Sequence, residues 1–173
     1  MCTLDIAQHI DENSVKHTRD RRLTHVTINP PGHPPLHVAC IYGDAQKTDP
    51  KINKQIRNYL EKNVKKGQHW IVGGDINDIY SALDTNNPKG TISNEGLAAF
   101  IQESTPLEDT FRMCYPTEEA YTFTSRPSKD QEVITEPFQS RIDHIYVTPE
   151  ALEYTSSTIE AGIDEEESHL QTV

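Results

Sequence analysis

A short apolar run that closes on glycine, aspartate and asparagine is the feature that most constrains how this chain folds. Residues 69–72 read His-Trp-Ile-Val, and Gly-Asp-Ile-Asn follows at residues 74–77. Apolar and β-branched residues bounded by turn-forming ones predict a buried strand that ends near Asp75. Because side chains alternate along a strand, Asp75 and Asn77 are expected to emerge on the same side of the sheet.

A second polar segment lies more than sixty residues further on. Residues 140–144 read Ser-Arg-Ile-Asp-His and open a strand-like run that reaches Val147. This places Asp143 close to a basic residue, Arg141, within one strand. Acid–amide and acid–base pairs at strand ends suit chemistry on phosphate esters, in which charge must be held and a water molecule activated. The two segments together therefore indicate a phosphoester site.

The rest of the pattern predicts an α/β fold. Residues 22–28 alternate apolar and polar, residues 36–42 form a second strand-like run, and a proline-rich loop joins them into a hairpin. A helix is expected from Pro50 to shortly before Gly67, with an apolar stripe on one face. A short helix is predicted at 97–102, and further strands at 121–124, 141–147 and 152–159. Asp5, Asp11 and Glu12 are acidic, but they lie in no strand-plus-glutamate context that would indicate a metal site.

Composition narrows the function classes. The chain has 173 residues, enough for one domain with a real core, and a formal net charge of -11. An acidic surface argues against tight, non-specific binding of nucleic acid. The three cysteines form no CxxC pair, which favours free thiols in a reducing compartment, and no apolar run is long enough to cross a bilayer. We therefore expect an intracellular protein without a membrane partner.

Four motifs in order resemble the endonuclease/exonuclease/phosphatase superfamily. They are the strand that ends in Tyr42, the Gly-Asp-x-Asn motif, the Arg-Ile-Asp strand, and Glu-Ser-His-Leu at residues 167–170, where the family has Ser-Asp-His. The resemblance covers the C-terminal two-thirds of the family's domain. It implies a truncated four-layered α/β sandwich, with two mixed β-sheets flanked by helices, as a single domain over residues 1–173 that lacks the family's N-terminal strands. Residues 107–112 and 120–123 are most similar to the endonucleases of non-LTR retrotransposons.

The resemblance also implies a role for each site residue. Asp75 would orient the attacking water or hold a divalent metal, Mg²⁺ or Mn²⁺. Asn77 and Tyr42 would donate hydrogen bonds to phosphate oxygens. His169 would act at the scissile phosphate, and Asp143 would accept its ring N–H and fix its tautomer. The implied substrate is nucleic acid, most simply DNA.

Two departures from the family pattern leave three hypotheses open. The asparagine and glutamate that open the family's domain are absent, and Ser168 stands where the family has an aspartate. A serine hydroxyl is a much poorer ligand than a carboxylate for a hard cation. The chain is accordingly expected to be a metal-dependent phosphodiesterase with endonuclease-like activity, a non-catalytic remnant or binding module, or a phosphatase acting on small or lipid phosphoesters. Missing strands would also favour self-association through exposed sheet edges.

Overall fold

A computed structural model describes residues 6–45, 50–88, 92, 95–125, 137–154, 159–160 and 171–172 of the chain. The strands are β1 (Ile10–His17), β2 (Leu23–Ile28), β3 (Leu36–Tyr42), β4 (His69–Asp75), β5 (Glu108–Asp109), β6 (Phe123–Thr124), β7 (Gln139–Ser140), β8 (Asp143–Val147), β9 (Ile159–Glu160) and β10 (Gln171–Thr172). The α-helices are α1 (Pro50–Asn63), α2 (Leu97–Ser104) and α3 (Thr110–Cys114), and 3₁₀ helices span Ile6–His9, Ala82–Asp84 and Pro149–Tyr154.

One mixed sheet dominates this architecture. Its six strands lie in the order β1-β2-β3-β4-β8-β5, and the pairs β6-β7 and β9-β10 form separate two-stranded sheets. β3 and β4 are parallel and joined through α1, whereas the other neighbours in the large sheet are antiparallel. The mixed α/β class predicted from the sequence is therefore confirmed. Within the described residues, no helix is long and apolar enough to cross a membrane.

The core lies between one face of the large sheet and the helices α1 and α2. The stripe of α1 buries Ile56 and Leu60, Val64 is buried just after the helix ends, and the sheet contributes Trp70 and Val72, among others. Burying an aliphatic side chain of this kind stabilises the fold by about 1.5–3 kcal/mol. The predicted helix that begins at Pro50 is thus confirmed, and its apolar period is what seats it on the sheet.

The N-terminal region differs from the sequence expectation. Asp11 and Glu12 lie in β1, an edge strand paired with β2, in a region where the sequence analysis predicts no element. The register of the pair shifts between Asp11 and Lys16, and most side chains of β1 are exposed. A bulged, exposed edge strand lacks the strict alternation by which strands are recognised.

The strand predicted at 152–159 is wrong over its described N-terminal part. Pro149–Tyr154 forms a 3₁₀ helix, in which the Ala151 N–H donates to the Thr148 carbonyl at 2.9 Å, and β9 covers only Ile159–Glu160. Pro149 has no N–H for a ladder, and its fixed φ suits the first position of a helical turn. The strand predicted at 121–124 is likewise shorter, because β6 spans only its last two residues.

Candidate active site at the strand ends

Three predicted site residues form one row across neighbouring strands. Tyr42 of β3 is the register partner of Asp75 of β4, and Asp75 is in turn the partner of Asp143 of β8. Paired positions in a sheet point to the same face. The row therefore brings a phenol and two carboxylates together at the ends of their strands, although more than thirty residues separate each from the next along the chain.

Glycines allow the strand ends to approach this closely. Gly74 has a φ of 135°, and a Cβ built on it would lie 2.1 Å from the Ile41 carbonyl oxygen. A Cβ on Gly43 would lie 2.0 Å from the carbonyl oxygen of Ile76. Only glycine avoids both the clash and the strain of positive φ. The glycine before Asp75 in the motif is therefore a requirement of the backbone.

Asn77 reaches the site through a turn. β4 ends at Asp75, so the alternation used to place Asn77 beside Asp75 no longer applies. Instead Asn77 has a φ of 52°, its N–H donates to Asp75 Oδ1 at 2.9 Å, and its Nδ2 donates to the Gly43 carbonyl at 3.3 Å. Asparagine tolerates this left-handed conformation better than most residues. The expected proximity of Asp75 and Asn77 is present, with a different physical cause.

The row holds two neighbouring carboxylates, Asp75 and Asp143, which repel each other when both are ionised. Burial raises the pKa of Asp75, and the neighbouring carboxylate of Asp143 raises that pKa further. The hydrogen bonds from Asn77 and the positive potential of His144 act in the opposite direction. Both carboxylates are half-buried and still reached by solvent. Two neighbouring carboxylates of this kind favour the binding of a cation or of a hydrogen-bond donor, because either one would reduce the repulsion between them.

Arg22 is a basic residue of the site that the sequence did not identify. Its guanidinium lies over the ring of Tyr42, with the central carbon 5.0 Å from the ring centroid. Its Nη1 also donates to the Gly43 carbonyl at 3.1 Å. Tyr42 is 51% exposed, so its hydroxyl is available to a ligand. Arg22 belongs to a run of basic residues just before β2. Nothing in that run distinguishes Arg22 from its basic neighbours as a site residue.

Arg141 does not pair with Asp143. Its guanidinium is 1% exposed, and its Nε donates to Asp84 Oδ1 at 2.8 Å. Its Nη1 and Nη2 bind the two carboxylate oxygens of Asp109 at 3.1 and 2.7 Å. The guanidinium is therefore held by two other carboxylates in a buried arrangement that is bidentate at Asp109, although Asp143 is only two residues away in the sequence.

The charges around Arg141 form a network beneath the strand ends. Arg112 makes a further ion pair with Asp84, and Nδ1 of His144 lies 3.2 Å from Asp109 Oδ2. Although burial opposes ionisation, the hydrogen bonds from His144 and Arg141 hold the pKa of Asp109 well below its usual range. Asp84 and Asp109 lie 57 and 32 residues from Arg141 in the sequence. No local sequence pattern could therefore have predicted that the three residues pair.

Asp143 is held in place from the side opposite β4. The hydroxyl oxygen of buried Thr122 accepts hydrogen bonds from the N–H groups of Ile142 and Asp143, each at 3.1 Å. The N–H of Ile76 donates to the Ile142 carbonyl at 2.8 Å, which continues the β4–β8 pairing beyond the strand end. The backbone of the row at Ile142 and Asp143 is therefore hydrogen-bonded both to the β4 segment and to Thr122.

The remaining predicted site residue, His169, lies outside the described part of the chain. Its neighbour Ser168, which stands where the family has an aspartate, lies there too. Among the residues that the structure does describe, no group of three or more histidine, cysteine, aspartate or glutamate side chains could hold a metal ion. The oxygen donors that the structure brings together are those of Asp75, Asp143, Asn77 and Tyr42.

Comparison with known proteins identifies one family. The model of the Endonuclease/Exonuclease/phosphatase family matches residues 6–162 of the chain. No curated protein matches.

Several solved structures share the fold. The endonuclease domain of TRAS1, a telomere-specific non-LTR retrotransposon, is 18% identical with a TM-score of 0.60, and the match covers 94% of this chain and 67% of that one. An AP endonuclease from Archaeoglobus fulgidus is 20% identical with a TM-score of 0.69, covering 94% and 69%. A 3' phosphatase from Neisseria bound to a product DNA hairpin is 15% identical with a TM-score of 0.69, also covering 94% and 69%. This chain thus spans about two thirds of their length.

Proposed function

Because the chain belongs to the Endonuclease/Exonuclease/phosphatase family, we propose that it is a divalent-metal-dependent phosphodiester hydrolase with endonuclease-like activity on DNA. Similar structures include a retrotransposon endonuclease domain, an AP endonuclease and a phosphatase bound to a DNA product, which supports DNA as the substrate. The observation that carries the proposal is the row of Tyr42, Asp75 and Asp143 at adjoining strand ends.

In this proposal Asp75 and Asn77 act on the attacking water and the phosphate. The carboxylate of Asp75, oriented by the Asn77 N–H, positions the water or contacts the metal. The hydroxyl of Tyr42 donates to a non-bridging phosphate oxygen as negative charge develops there. Preorganised donors of this kind are worth about two to three orders of magnitude in rate each.

A divalent metal fits the donor set at the row. Mg²⁺ prefers oxygen ligands and is commonly bound through one or two carboxylates, completed by water and substrate phosphates. Asp75, with Asp143 beside it, supplies this kind of site, and their mutual repulsion is relieved by a cation. When bound, Mg²⁺ or Mn²⁺ supplies electrostatic stabilisation of the phosphate oxygens.

Asp143 and His169 complete the proposed machinery. Asp143 accepts a ring N–H of His169 and so fixes the tautomer that faces the phosphate. The N–H of Asp143 donates to the Thr122 hydroxyl, which fixes the position of the Asp143 backbone. A carboxylate that orients a histidine ring needs a fixed position of this kind. His169 is assigned by the resemblance of its motif.

A non-catalytic binding module is the second candidate. Ser168 replaces an acidic residue of the family motif, and the described residues contain no cluster of three metal-binding side chains. A phosphatase acting on small or lipid phosphoesters is a third, because the net charge of -11 suits small substrates better than a long polyanion.

Nicking of supercoiled plasmid in the presence of Mg²⁺ tests the proposal. We expect conversion to the open circle by the wild type, and a loss of at least about a hundredfold in Asp75→Asn, Asp143→Asn and His169→Ala. Glu103→Gln, at an exposed position of α2, is the matched control and should retain activity. A folded wild type that neither nicks plasmid nor binds Mg²⁺ in calorimetry supports the binding module, whereas release of phosphate from small esters without nicking supports the phosphatase.

The role of Tyr42 has its own control. Tyr42→Phe removes one hydroxyl and should lower kcat by about a hundredfold, because the lost donor acts on developing charge. Tyr80 is also exposed but lies outside the row, so Tyr80→Phe should leave kcat unchanged. Equal rates for the two variants would remove Tyr42 from the proposed machinery.

A further inference from the structure

The turn that joins β1 to β2 concentrates positive charge in an acidic chain. Residues 16–22 read Lys-His-Thr-Arg-Asp-Arg-Arg, with four lysine or arginine residues against one aspartate, a formal charge of +3 with histidine neutral. The whole chain has a net charge of -11, so the other residues together carry -14. We call residues 16–22 the basic turn. A local excess of positive charge attracts anions that the rest of the surface repels.

The basic turn lies at the same end of the large sheet as the candidate active site. Leu23 pairs with Ile41 at the start of β2, and the Tyr42 N–H donates to the Arg22 carbonyl at 2.8 Å. Tyr42 is in turn the register partner of Asp75. The basic turn, Tyr42 and Asp75 therefore follow one another across the strand ends.

The backbone of the basic turn is held without the side chains of Arg19 and Arg21. The Arg21 N–H donates to the Thr18 carbonyl at 2.9 Å, and the Thr18 hydroxyl donates to Asp20 Oδ1 at 2.6 Å. Arg19 and Arg21 are both exposed. Among the residues that the structure describes, neither arginine makes an ion pair. Both positive charges can therefore meet an anion from outside the protein.

Arg22 connects the basic turn to the row. Its guanidinium lies over the Tyr42 ring, and its Nη1 donates to the Gly43 carbonyl at 3.1 Å. The same carbonyl accepts a hydrogen bond from Asn77 Nδ2 at 3.3 Å. Hydrogen-bond donors therefore extend from the basic turn through Arg22 and Tyr42 to Asn77.

The spacing of these groups suits a polymer of phosphates. Neighbouring strands lie about 4.8 Å apart, so the basic turn is two to three strand spacings, or about 10–14 Å, from Asp75. One strand of B-form DNA carries a phosphate about every 3.4 Å along the helix axis, which places about three to four phosphates within this interval. A small phosphoester at Asp75 occupies only the near end of the interval, whereas a DNA strand extends over all of it.

We propose that the basic turn binds the sugar–phosphate backbone of the substrate DNA strand, on the Tyr42 side of the phosphodiester that is cleaved. This inference rests on the proposed function and assigns phosphate contacts to Arg19, Arg21 and Arg22. Arginine suits this role because its planar fork forms paired hydrogen bonds with phosphate oxygens. Since the rest of the chain is acidic, the basic turn also sets the side of the site on which the strand lies.

The basic residues of α1 lie elsewhere and provide a control. α1 packs on the core face of the sheet, whereas the row points to the other face. Two of these residues have partners within the protein, because Arg57 Nη2 donates to the Glu95 carbonyl and Lys65 Nζ donates to the Glu61 carbonyl. Lys62 is exposed in the last turn of α1, shortly before β4 begins, whereas the row lies where β4 ends. Lys62 is therefore a positive charge outside the proposed path of the strand.

Binding of a fluorescent DNA duplex of about 20 base pairs, followed by anisotropy at several salt concentrations, tests the proposal. The measurement is made in EDTA, so that the duplex stays intact and the result does not depend on hydrolysis. The logarithm of the affinity should fall linearly with the logarithm of the salt concentration. Arg19→Gln and Arg21→Gln should each make this slope shallower by about 0.9, and Lys62→Gln should leave it unchanged.

The three arginine contacts together set the size of the expected effect. Three contacts with a slope of about 0.9 each account for about a 40-fold loss of affinity between 50 and 200 mM salt. The triple variant with Arg19→Gln, Arg21→Gln and Arg22→Gln should lack this part of the salt dependence. The single variants Arg19→Gln and Arg21→Gln should melt like the wild type, because both side chains are exposed.

Several outcomes would overturn the proposal. They are a folded wild type that does not bind the duplex, wild-type slopes in Arg19→Gln and Arg21→Gln, and an equal change of slope in Lys62→Gln. Loss of binding to vesicles of anionic phospholipid in the arginine variants, with unchanged affinity for DNA, would also overturn it. Shallower slopes in a protein that does not nick plasmid with Mg²⁺ would support the DNA contact while refuting the proposed hydrolysis.

Discussion

Asp75 and Asp143 lie directly opposite each other on the antiparallel strands β4 and β8, with both carboxylates on the same face of the sheet. Burial raises the pKa of Asp75, and the charge of Asp143 raises it further, so the folded protein holds a proton on Asp75 more tightly than the unfolded chain does. Ionising this row costs stability, which indicates a site shaped for a ligand.

This relationship predicts that Asp75→Asn stabilises the protein at neutral pH. A raised pKa in the folded state means that wild-type stability is lost as pH rises through that pKa, and the amide cannot ionise. Because Asp75 is only half-buried, we expect a gain of less than about 1 kcal/mol at pH 7.

Thermal melting between pH 3 and pH 8 measures the effect. The difference in melting temperature between Asp75→Asn and wild type should become smaller as the pH falls below the ordinary aspartate pKa. Adding Asp143→Asn should give less than the sum of the single effects, because the two charges interact. A variant that is less stable than wild type at pH 7 would contradict the prediction.

Gly74→Ala should damage both the fold and the site. The added Cβ meets the Ile41 carbonyl at 2.1 Å at a φ of 135°, which side chains rarely adopt. We expect a loss of about 3 kcal/mol or more in the free energy of unfolding, from strain and clash together. Gly67 also has positive φ, at 80°, but a Cβ there meets nothing within 4 Å. Gly67→Ala should cost only about 1 kcal/mol, and chemical denaturation of both variants tests the contrast.

The buried network makes Arg141 a strong determinant of stability. Arg141→Met leaves Asp84 and Asp109 buried without their shared cation, although Arg112 still pairs with Asp84. Removing one partner of a buried ion pair typically costs about 3–5 kcal/mol. Arg19 is exposed, and Arg19→Met should change stability by less than about 0.5 kcal/mol.

The same network governs stability in acid. Because the pKa of Asp109 is held well below its usual range, its stabilising effect is full above the ordinary aspartate pKa and is lost as pH falls toward the lowered one. The wild type should therefore lose stability steeply below about pH 4, and Arg141→Met should show a shallower slope. The free energy of unfolding can be measured by urea denaturation at each pH. If it falls equally steeply with pH in wild type and Arg141→Met, Arg141 does not set the pKa of Asp109.

His25 predicts a separate effect at milder pH. Its Nδ1 lies 2.9 Å from the Tyr59 hydroxyl, and its ring stacks on Trp70 at 4.6 Å. Burial, with the charges of His37 and Lys16, lowers the pKa of His25 from 6.5 to about 4. The unfolded chain therefore binds the proton more readily, and stability should fall as pH drops from 6.5 toward 4.

Melting temperatures over that interval test the role of His25. His25→Gln should flatten the dependence between pH 6.5 and pH 4, with the remaining slope due to His37, whose pKa is also lowered. His17 is exposed, so His17→Gln should keep the wild-type slope. An unchanged slope in His25→Gln would show that His25 is protonated at no cost to the fold.

Local patterns were sufficient where burial follows a simple period. The apolar stripe of α1, the alternation in β2 and the apolar run of β4 each match the structure closely, because one side of each element faces the core. β1 escaped prediction because it is a bulged edge strand with little burial, and the strand expected from Leu152 gave way to a 3₁₀ helix that begins at Pro149.

The residue types at the strand ends are a property of the sequence, and the motifs around Tyr42, Asp75 and Asp143 can be recognised from it alone. Which of these residues meet depends on the fold, because the row requires the parallel pairing of β3 with β4 and the antiparallel pairing of β4 with β8. The fold also determines that Arg141 binds Asp84 and Asp109 in the interior, away from its neighbour Asp143. Contacts between residues far apart in sequence arise from the packing of whole elements, and no local period encodes them.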